Sequence, residues 1–406
     1  MRIGLLAALT LLLTTAGLAL GEHGNAASRE SIGEENFPLG DLSDKALTHG
    51  DVKAEAETFG FWVSAEYLLW WIKNGQVPPL VTAGGNGVIG SPGTRVLLDD
   101  LNFVDDFRQG GRFALGYRFE SNPSVTIEAS YFFLSDAQED ARFSSSGPVL
   151  GRPYIDVATG KPAATLISSP GIAAGSVTIA ARTSLWGAEA NLSAGVVSSD
   201  RFHLAVIGGF RSLSLEDDIR IDEQFSVARS VPRFGGNRVK LQDEFNADNR
   251  FYGGQLGLEA GVRFRMLTID FRGKIGLGQM QQAVSVNGAT NVLMPNGSTT
   301  VFEGGLLALR SNIGHHDRDE LAFIPEAGLN VGVQLTRYLK VYAGYSFLWV
   351  STVAFPGEQM DPVVNVTQFP ILSGNGPLVG PKRPAFNFAG TDFLAHGLNF
   401  GVQLRF

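Results

Sequence analysis

The chain of 406 residues contains no cysteine. That excludes disulfide scaffolds, thiolate metal sites and cysteine nucleophiles. Charge is also scarce. Only 18% of residues are charged and the formal net charge is −8, the opposite of the basic surface that nucleic-acid binding requires, so no nucleic-acid partner is expected. Beyond the N-terminal segment, no run approaches the roughly 18 uninterrupted apolar residues of a membrane helix. No G-x-S-x-G occurs, which removes the commonest serine-hydrolase signature. What the chain has in quantity is glycine and aromatics: 50 Gly and 28 Phe within a 44% hydrophobic composition. Many strands joined by glycine-rich loops would use such a composition, and a disordered chain would not.

The first 21 residues, MRIGLLAALTLLLTTAGLALG, carry Arg2, an apolar stretch from Ile3 to about Leu13, and small residues at Ala19 and Gly21. They read as a secretory signal peptide. Residues 22–57 are acidic, polar and aperiodic, which predicts a flexible periplasmic leader. An exported chain without a second apolar helix can cross a membrane only with strands. Residues 58–406 repeat one pattern suited to that.

In FGFWVSAEYLLWWIKNG, Phe61, Val63, Ala65, Tyr67, Leu69 and Trp71 share one face at period two, while Glu66 stands on the other with Ser64 and Trp70. GGRFALGYRFE, VTIEASYFFL, WGAEANLSA, FHLAVIGGFR, FYGGQLGLEAGVRF, LTIDFRGKIGL, ELAFIPEAGLNVGVQL, KVYAGYSFLWV and FLAHGLNFGVQLRF alternate in the same way. That makes ten strands. Connections after the even strands are short (ESNPS, VVSSD, RM, TRY), and those after the odd strands are long and rich in Gly, Pro, Ser and Asn. Short turns on one rim and long loops on the other are the layout of an outer-membrane barrel, with the short turns periplasmic. The fold class is therefore all-β, a transmembrane up-and-down antiparallel β-barrel of about ten strands. Twelve strands result if a long loop, most readily Ser214 to Asn249, hides a hairpin.

A membrane barrel turns its apolar face to lipid and its polar face inward. The inward set is Glu66, Arg112, Arg118, Glu128, Glu189, Arg211, Glu259, Arg263, Asp270, Arg272, Lys274, Glu326 and Lys340. It permits two readings: an internal salt-bridge network that fills the lumen, or a charged lining that sets ion selectivity. Eight strands are just filled by side chains, whereas porin channels use about 16 to 18.

Other motifs carry less. Gly85, Gly87 and Gly90 fit G-x-G-x-x-G, but Pro92 and Gly93 follow where a dinucleotide fold needs a helix, so a glycine-rich loop is expected. His315, His316 and Asp317 are expected in a long solvated loop. Asp99–Asp100 and Asp105–Asp106 lack the spacing of a calcium loop. No catalytic residue, cofactor or metal is expected. The terminal stripe ending at Phe406 resembles the signal by which such barrels are handed to the outer-membrane assembly machinery.

Several segments together resemble the seventh β-barrel porin family of bacterial outer-membrane proteins: WVSAEYLLWWIKNGQVPPLVTAG, GGRFALGYRF, EASYFFL, FYGGQLGLEAG, GKIGLGQMQQAVSVNG, VYAGYSFLWV, PGEQMDPVVN and TDFLAHGLNFGVQLRF. The resemblance spans roughly residues 60 to 406. It departs at Phe355, where a basic residue would precede PGEQMD. It implies an outer-membrane barrel and identifies no substrate. The functional expectation is a porin-like passive channel for small solutes. The alternative is a barrel-anchored surface structural or binding protein with a plugged lumen, whose long loops meet surface partners.

Overall fold

The computed structural model describes residues 60–73, 75–100, 107–374 and 376–406. The expected signal peptide (1–21), the leader as far as residue 57, and the Asp105–Asp106 pair lie outside the described residues. In chain order the strands are β1 Phe61–Ile72, β2 Val81–Ala83, β3 Arg95–Leu98, β4 Arg108–Arg118 and β5 Val125–Ser145. Next come β6 Leu150–Asp156, β7 Lys161–Ser168, β8 Ala173–Ser198, β9 Phe202–Val227 and β10 Arg238–Phe264. The remainder are β11 Leu267–Leu293, β12 Thr299–Glu303, β13 Gly314–Gln334, β14 Leu339–Val353, β15 Val363–Val364 and β16 Thr391–Arg405.

Ten of these close a ring: β10-β9-β8-β5-β4-β1-β16-β14-β13-β11, with β11 paired back to β10. Every barrel pairing is antiparallel, and ring neighbours are successive along the chain except where β1 meets β16. That closing ladder runs from Trp62 opposite Arg405 to Ile72 opposite Ala395. Closure leaves the crossing part of the ring without an open edge, so its backbone polar groups are paired in ladders, as hydrocarbon demands. Register shifts occur in the β5–β8, β8–β9 and β14–β16 pairs.

The strands are longer than the sequence periodicity suggests. β8 and β9 each have 26 residues and β10 and β11 each have 27, whereas a tilted crossing needs about 9–11. At about 3.3 Å per residue, much of each strand stands outside the bilayer. β9 explains how one sequence serves both media. Up to Phe210 its outward residues are apolar (Phe202, Leu204, Val206), and beyond it they are Ser212, Ser214, Glu216, Asp218, Arg220 and Asp222. The inward residues change in the opposite sense, from His203 and Arg211 to Leu213, Leu215, Ile219 and Ile221. Period two is kept and its phase is inverted. β10 makes the same change between Tyr252 and Arg250, and β11 between Leu277 and Gln279.

This corrects the expected Ser214–Asn249 loop. The segment does contain a hairpin, but it prolongs β9 and β10, paired from Val262 opposite Phe202 to Arg238 opposite Ser226. No strand is added to the ring.

The remaining long connections fold over the outer end. A small sheet of order β15-β6-β2-β3, with β7 on β6, gathers strands from three of them. Leu80, Val81, Leu150 and Ile167 from this sheet and its flanks pack against Ile179, Ile221, Phe245 and Val284 of the barrel wall, forming a buried apolar core. Phe355 and Phe393 belong to a second apolar layer with Trp70, Leu213 and Ile324. Below these layers the lumen is polar.

Candidate functional site

Glu66 faces the lumen, where the Tyr342 hydroxyl donates to it at 2.9 Å and Arg112 lies 3.5 Å away. Arg112 continues to Glu326 at 3.3 Å. Glu326 also pairs with Arg211 and, at 3.4 Å, with Lys274. Arg211 and Lys274 both hold Glu189, at 2.8 and 2.5 Å. Gln255 donates to Glu189 at 3.0 Å and to Asn191 at 2.5 Å. A second cluster joins Arg272 to Glu128 and Glu259, each at 2.7 Å, with His203 3.6 Å from Glu259. Lys340 pairs with Asp270. Thus the structure gathers Glu66, Arg112, Glu128, Glu189, Arg211, Glu259, Asp270, Arg272, Lys274, Glu326 and Lys340 into ion pairs. It leaves Arg118 and Arg263 at the short-turn rim, outside these clusters.

These pairs cross the lumen. Between β4, which carries Arg112, and β13, which carries Glu326, three strands intervene (β1, β16 and β14). Between β5, with Glu128, and β11, with Arg272, three more intervene (β8, β9 and β10). In a ring of ten these are nearly diametric spans. Arg211 is 3% exposed and Lys274 5%, so the centre of the network is buried, while Arg272, Glu259 and Asp270 nearer the short-turn end are only partly so. Buried charges persist only when paired and hydrogen-bonded, and here carboxylates and cations satisfy one another. Glycines let the large side chains lie flat against the wall: a Cβ at Gly116 would run into the Trp62 ring, and one at Gly401 into Tyr342.

At the outer end, a second ionic group was not evident from sequence. Arg152 on β6 donates to Glu223 of β9 at 2.5 Å and to Asp243 of β10 at 3.0 Å, with all three buried. The other oxygen of Asp243 accepts the backbone amides of Leu306, Leu307 and Ala308 at 2.8, 3.1 and 2.9 Å. One carboxylate thus fastens both the small sheet and the connection between β12 and β13 to the wall. These groups lie above the lipid-facing band, and burial pushes the Glu223 carboxyl above its ordinary range. A sequence signal existed for part of this. Asp243 and Asn249 interrupt the apolar inward stripe Leu241, Phe245, Ala247, Phe251 of β10.

PGEQMD proves to be an internal tie. The side-chain nitrogen of Gln359 donates to the carbonyls of Phe355 (3.0 Å) and Ala389 (2.8 Å), and its oxygen accepts from the Ala389 amide at 3.1 Å. Asp361 accepts from Arg383 at 2.7 Å and from the amides of Val363 and Ala385 at 2.9 and 2.8 Å. Phe355 is buried against Phe393, where a cation would have lacked water.

The His315–Asp317 segment lies on the outer end of β13, which corrects its expected place in a loop. His315 and Asp317 share the outward face, 3.1 Å apart and exposed. His316 points the other way and stacks on Phe386 at 3.6 Å. The alternation that separates them prevents a convergent site. Among the described residues no group of His, Asp and Glu is arranged to hold a metal. Phe406 meets Phe61, its amide donating to the Phe61 carbonyl at 2.8 Å.

On the outside, exposed apolar side chains such as Leu115, Leu192, Leu256, Ile275, Leu329 and Phe400 belt the lower barrel. Aromatic clusters flank the belt. Trp71, Phe107, Tyr345 and His396 gather at the upper edge, and Phe61, Phe406, Tyr117 and Phe119 at the lower. Rings at both interfaces and an apolar band between them fit a bilayer crossing.

A closed antiparallel ring with an apolar outer belt, aromatic girdles and an ionic interior defines an outer-membrane β-barrel. The chain belongs to the family described as Putative beta barrel porin-7 (BBP7), whose model matches residues 62–406. No curated protein matches it. Among solved structures it is similar to the outer membrane protease OmpT from Escherichia coli, with 9% identity and a TM-score of 0.42, covering 86% of this chain and 98% of that one. It is also similar to the translocator domain of autotransporter NalP from Neisseria meningitidis, at 14% identity and a TM-score of 0.27, covering 86% and 89%. A Pseudomonas aeruginosa FadL homologue follows at 8% identity and a TM-score of 0.26, covering 85% and 89%.

Proposed function

We propose that this protein is a closed outer-membrane barrel that anchors a folded body at the cell surface, where it does structural or binding work. The observation that carries this reading is the double obstruction of the lumen. Ion pairs span it between nearly opposite strands, and an apolar core fills its outer end. A diffusion pore needs a continuous wet path lined by charge, and each obstruction interrupts such a path. The body is held by buried ionic ties as well as by apolar packing, so its surface is a fixed one. No catalysis is assigned to it.

Planar-bilayer recording of the refolded protein tests the proposal. The expected trace is flat across voltages and salts, with heat-modifiable gel migration verifying that the barrel has formed. Discrete conductance steps in the unaltered protein would establish the passive channel instead.

A further inference from the structure

The lipid-facing side of the barrel is not level. On β1 the outward side chains are Phe61, Val63, Ala65, Tyr67, Leu69 and Trp71. Val63 lies opposite Leu404 of β16 and Leu115 of β4, and Ala65 lies opposite Val402 and Phe113. Those four flanking side chains are 39% to 52% exposed, whereas Val63 and Ala65 are half-buried between them. Ala129 on β5 widens the recess past Leu115, with Tyr131 beside it. The result is an apolar trough of about 520 Å³ on the outside of the wall. That volume falls within the range of roughly 300–1,000 Å³ typical of ligand pockets. Along β1, Tyr67 stands next above the trough, its hydroxyl donating to Gln109 at 2.7 Å. Phe61, against the Phe406 ring, stands next below.

Shape and position say what fills it. Neighbouring strands are about 4.8 Å apart, so β16 and β4 stand roughly 10 Å from each other across β1. Side chains on both narrow the space between them to the width of one hydrocarbon chain. The convex wall of a second barrel is too broad to enter. Within a bilayer, apolar surfaces gain nothing by leaving water, and van der Waals packing decides which contacts are kept. A chain in the trough touches protein on three sides, while one on the level belt touches it on one. The trough also has a definite depth. Ala65 is four residues above Phe61 of the lower girdle and six below Trp71 of the upper. It therefore lies on the short-turn side, in the periplasmic leaflet.

We propose that the trough over Val63, Ala65 and Ala129 is a lipid seat, which holds one acyl chain of a phospholipid from the periplasmic leaflet. The seat continues the lipid-facing belt and depends only on the barrel's crossing of the membrane. It stands whether or not the lumen conducts.

Native mass spectrometry of the refolded protein provides the test, with dioleoylphosphatidylethanolamine added in rising amounts to the detergent solution. One lipid is expected to bind saturably and to stay on the protein at collision energies that strip the rest. In Ala65→Phe/Ala129→Phe, whose rings fill the trough, that adduct should be lost. It should persist in Ala260→Phe, which adds bulk to the lipid face of β10, five strands around the ring. Heat-modifiable migration verifies that each barrel has formed. No retained lipid in the parent, the same adduct in the filled variant, or its loss in Ala260→Phe as well overturns the seat. So does a lipid-free dimer of the parent that the filled variant converts to monomer, since the trough would then hold a second copy. Should the double variant fail to fold, Ala65→Leu alone must reduce the adduct several-fold, and parity there also overturns it.

Discussion

At the scale of single residues, the outer end depends on a few buried polar groups. Arg152 pairs with both Glu223 and Asp243, and all three are buried. Arg152→Met leaves two carboxylates unpaired, and removing one partner of a buried ion group costs about 3–5 kcal/mol. Protease digestion should then cut the connections around β6 and β7 while the heat-resistant barrel core persists; a digestion pattern like the parent's would mean the tie contributes nothing. Asp217 on β9 gives a pH dependence. It lies on the inward face well above the lipid belt, and burial pushes its carboxyl up from an ordinary 3.8 to about 7. The folded state therefore holds this proton more tightly than the unfolded one. Its contribution to stability is complete below 3.8 and fades as pH rises to about 7. Asp217→Asn should slow hydrogen exchange in the outer half of β9 at pH 8 and change little below pH 3.8; an effect of equal size at both ends would refute the assignment. Glu66 and Arg211 were readable as inward residues from alternation. Arg152 was not, since β6 lies in a connection whose pairing depends on contacts distant in sequence.

Among the strands, the inversion of phase is what joins membrane to surface. Sequence periodicity located each crossing because lipid imposes a clean apolar face. It lost β9 at Arg211 because, beyond that point, the same alternation reads as a soluble strand of opposite sense. A one-phase pattern search ends where the medium changes. Had both phases been followed, Leu213, Leu215, Ile219 and Ile221 would have continued the strand. The absence of cysteine makes this testable by single introductions. Val206→Cys should react only with a lipid-soluble maleimide, Arg220→Cys with a water-soluble one, and Ile221→Cys with neither until denaturation. Rapid water-soluble labelling of Ile221→Cys would restore the loop that the sequence first suggested. The small outer sheet was not legible at all. β2 and β15 have three and two residues and acquire their pairing only from partners in other connections.

For the molecule as a whole, ring closure, strand number and family were legible, because ten alternating segments with alternating connection lengths admit few arrangements. The state of the lumen was not, since inward charges of both signs suit a filled interior and a selective one alike. The proposed closed bore rests on the setting of Arg112 against Glu326 and of Glu128 against Arg272 across the ring. The two obstructions are separate, which gives the electrical test a graded form. Replacing the β6–β7 hairpin with a short Gly-Ser linker should leave the bilayer silent, and adding Arg112→Ala and Arg211→Ala to that deletion should produce current steps. Steps from the hairpin deletion alone would show that the ionic layer does not seal.

The four strands of 26 and 27 residues run without interruption from the periplasmic rim into the outer body. A force applied at the tip would load their ladders lengthwise, so that many hydrogen bonds share the strain instead of peeling in turn. Whatever grips this protein from outside therefore pulls on the envelope itself before it unravels the handle.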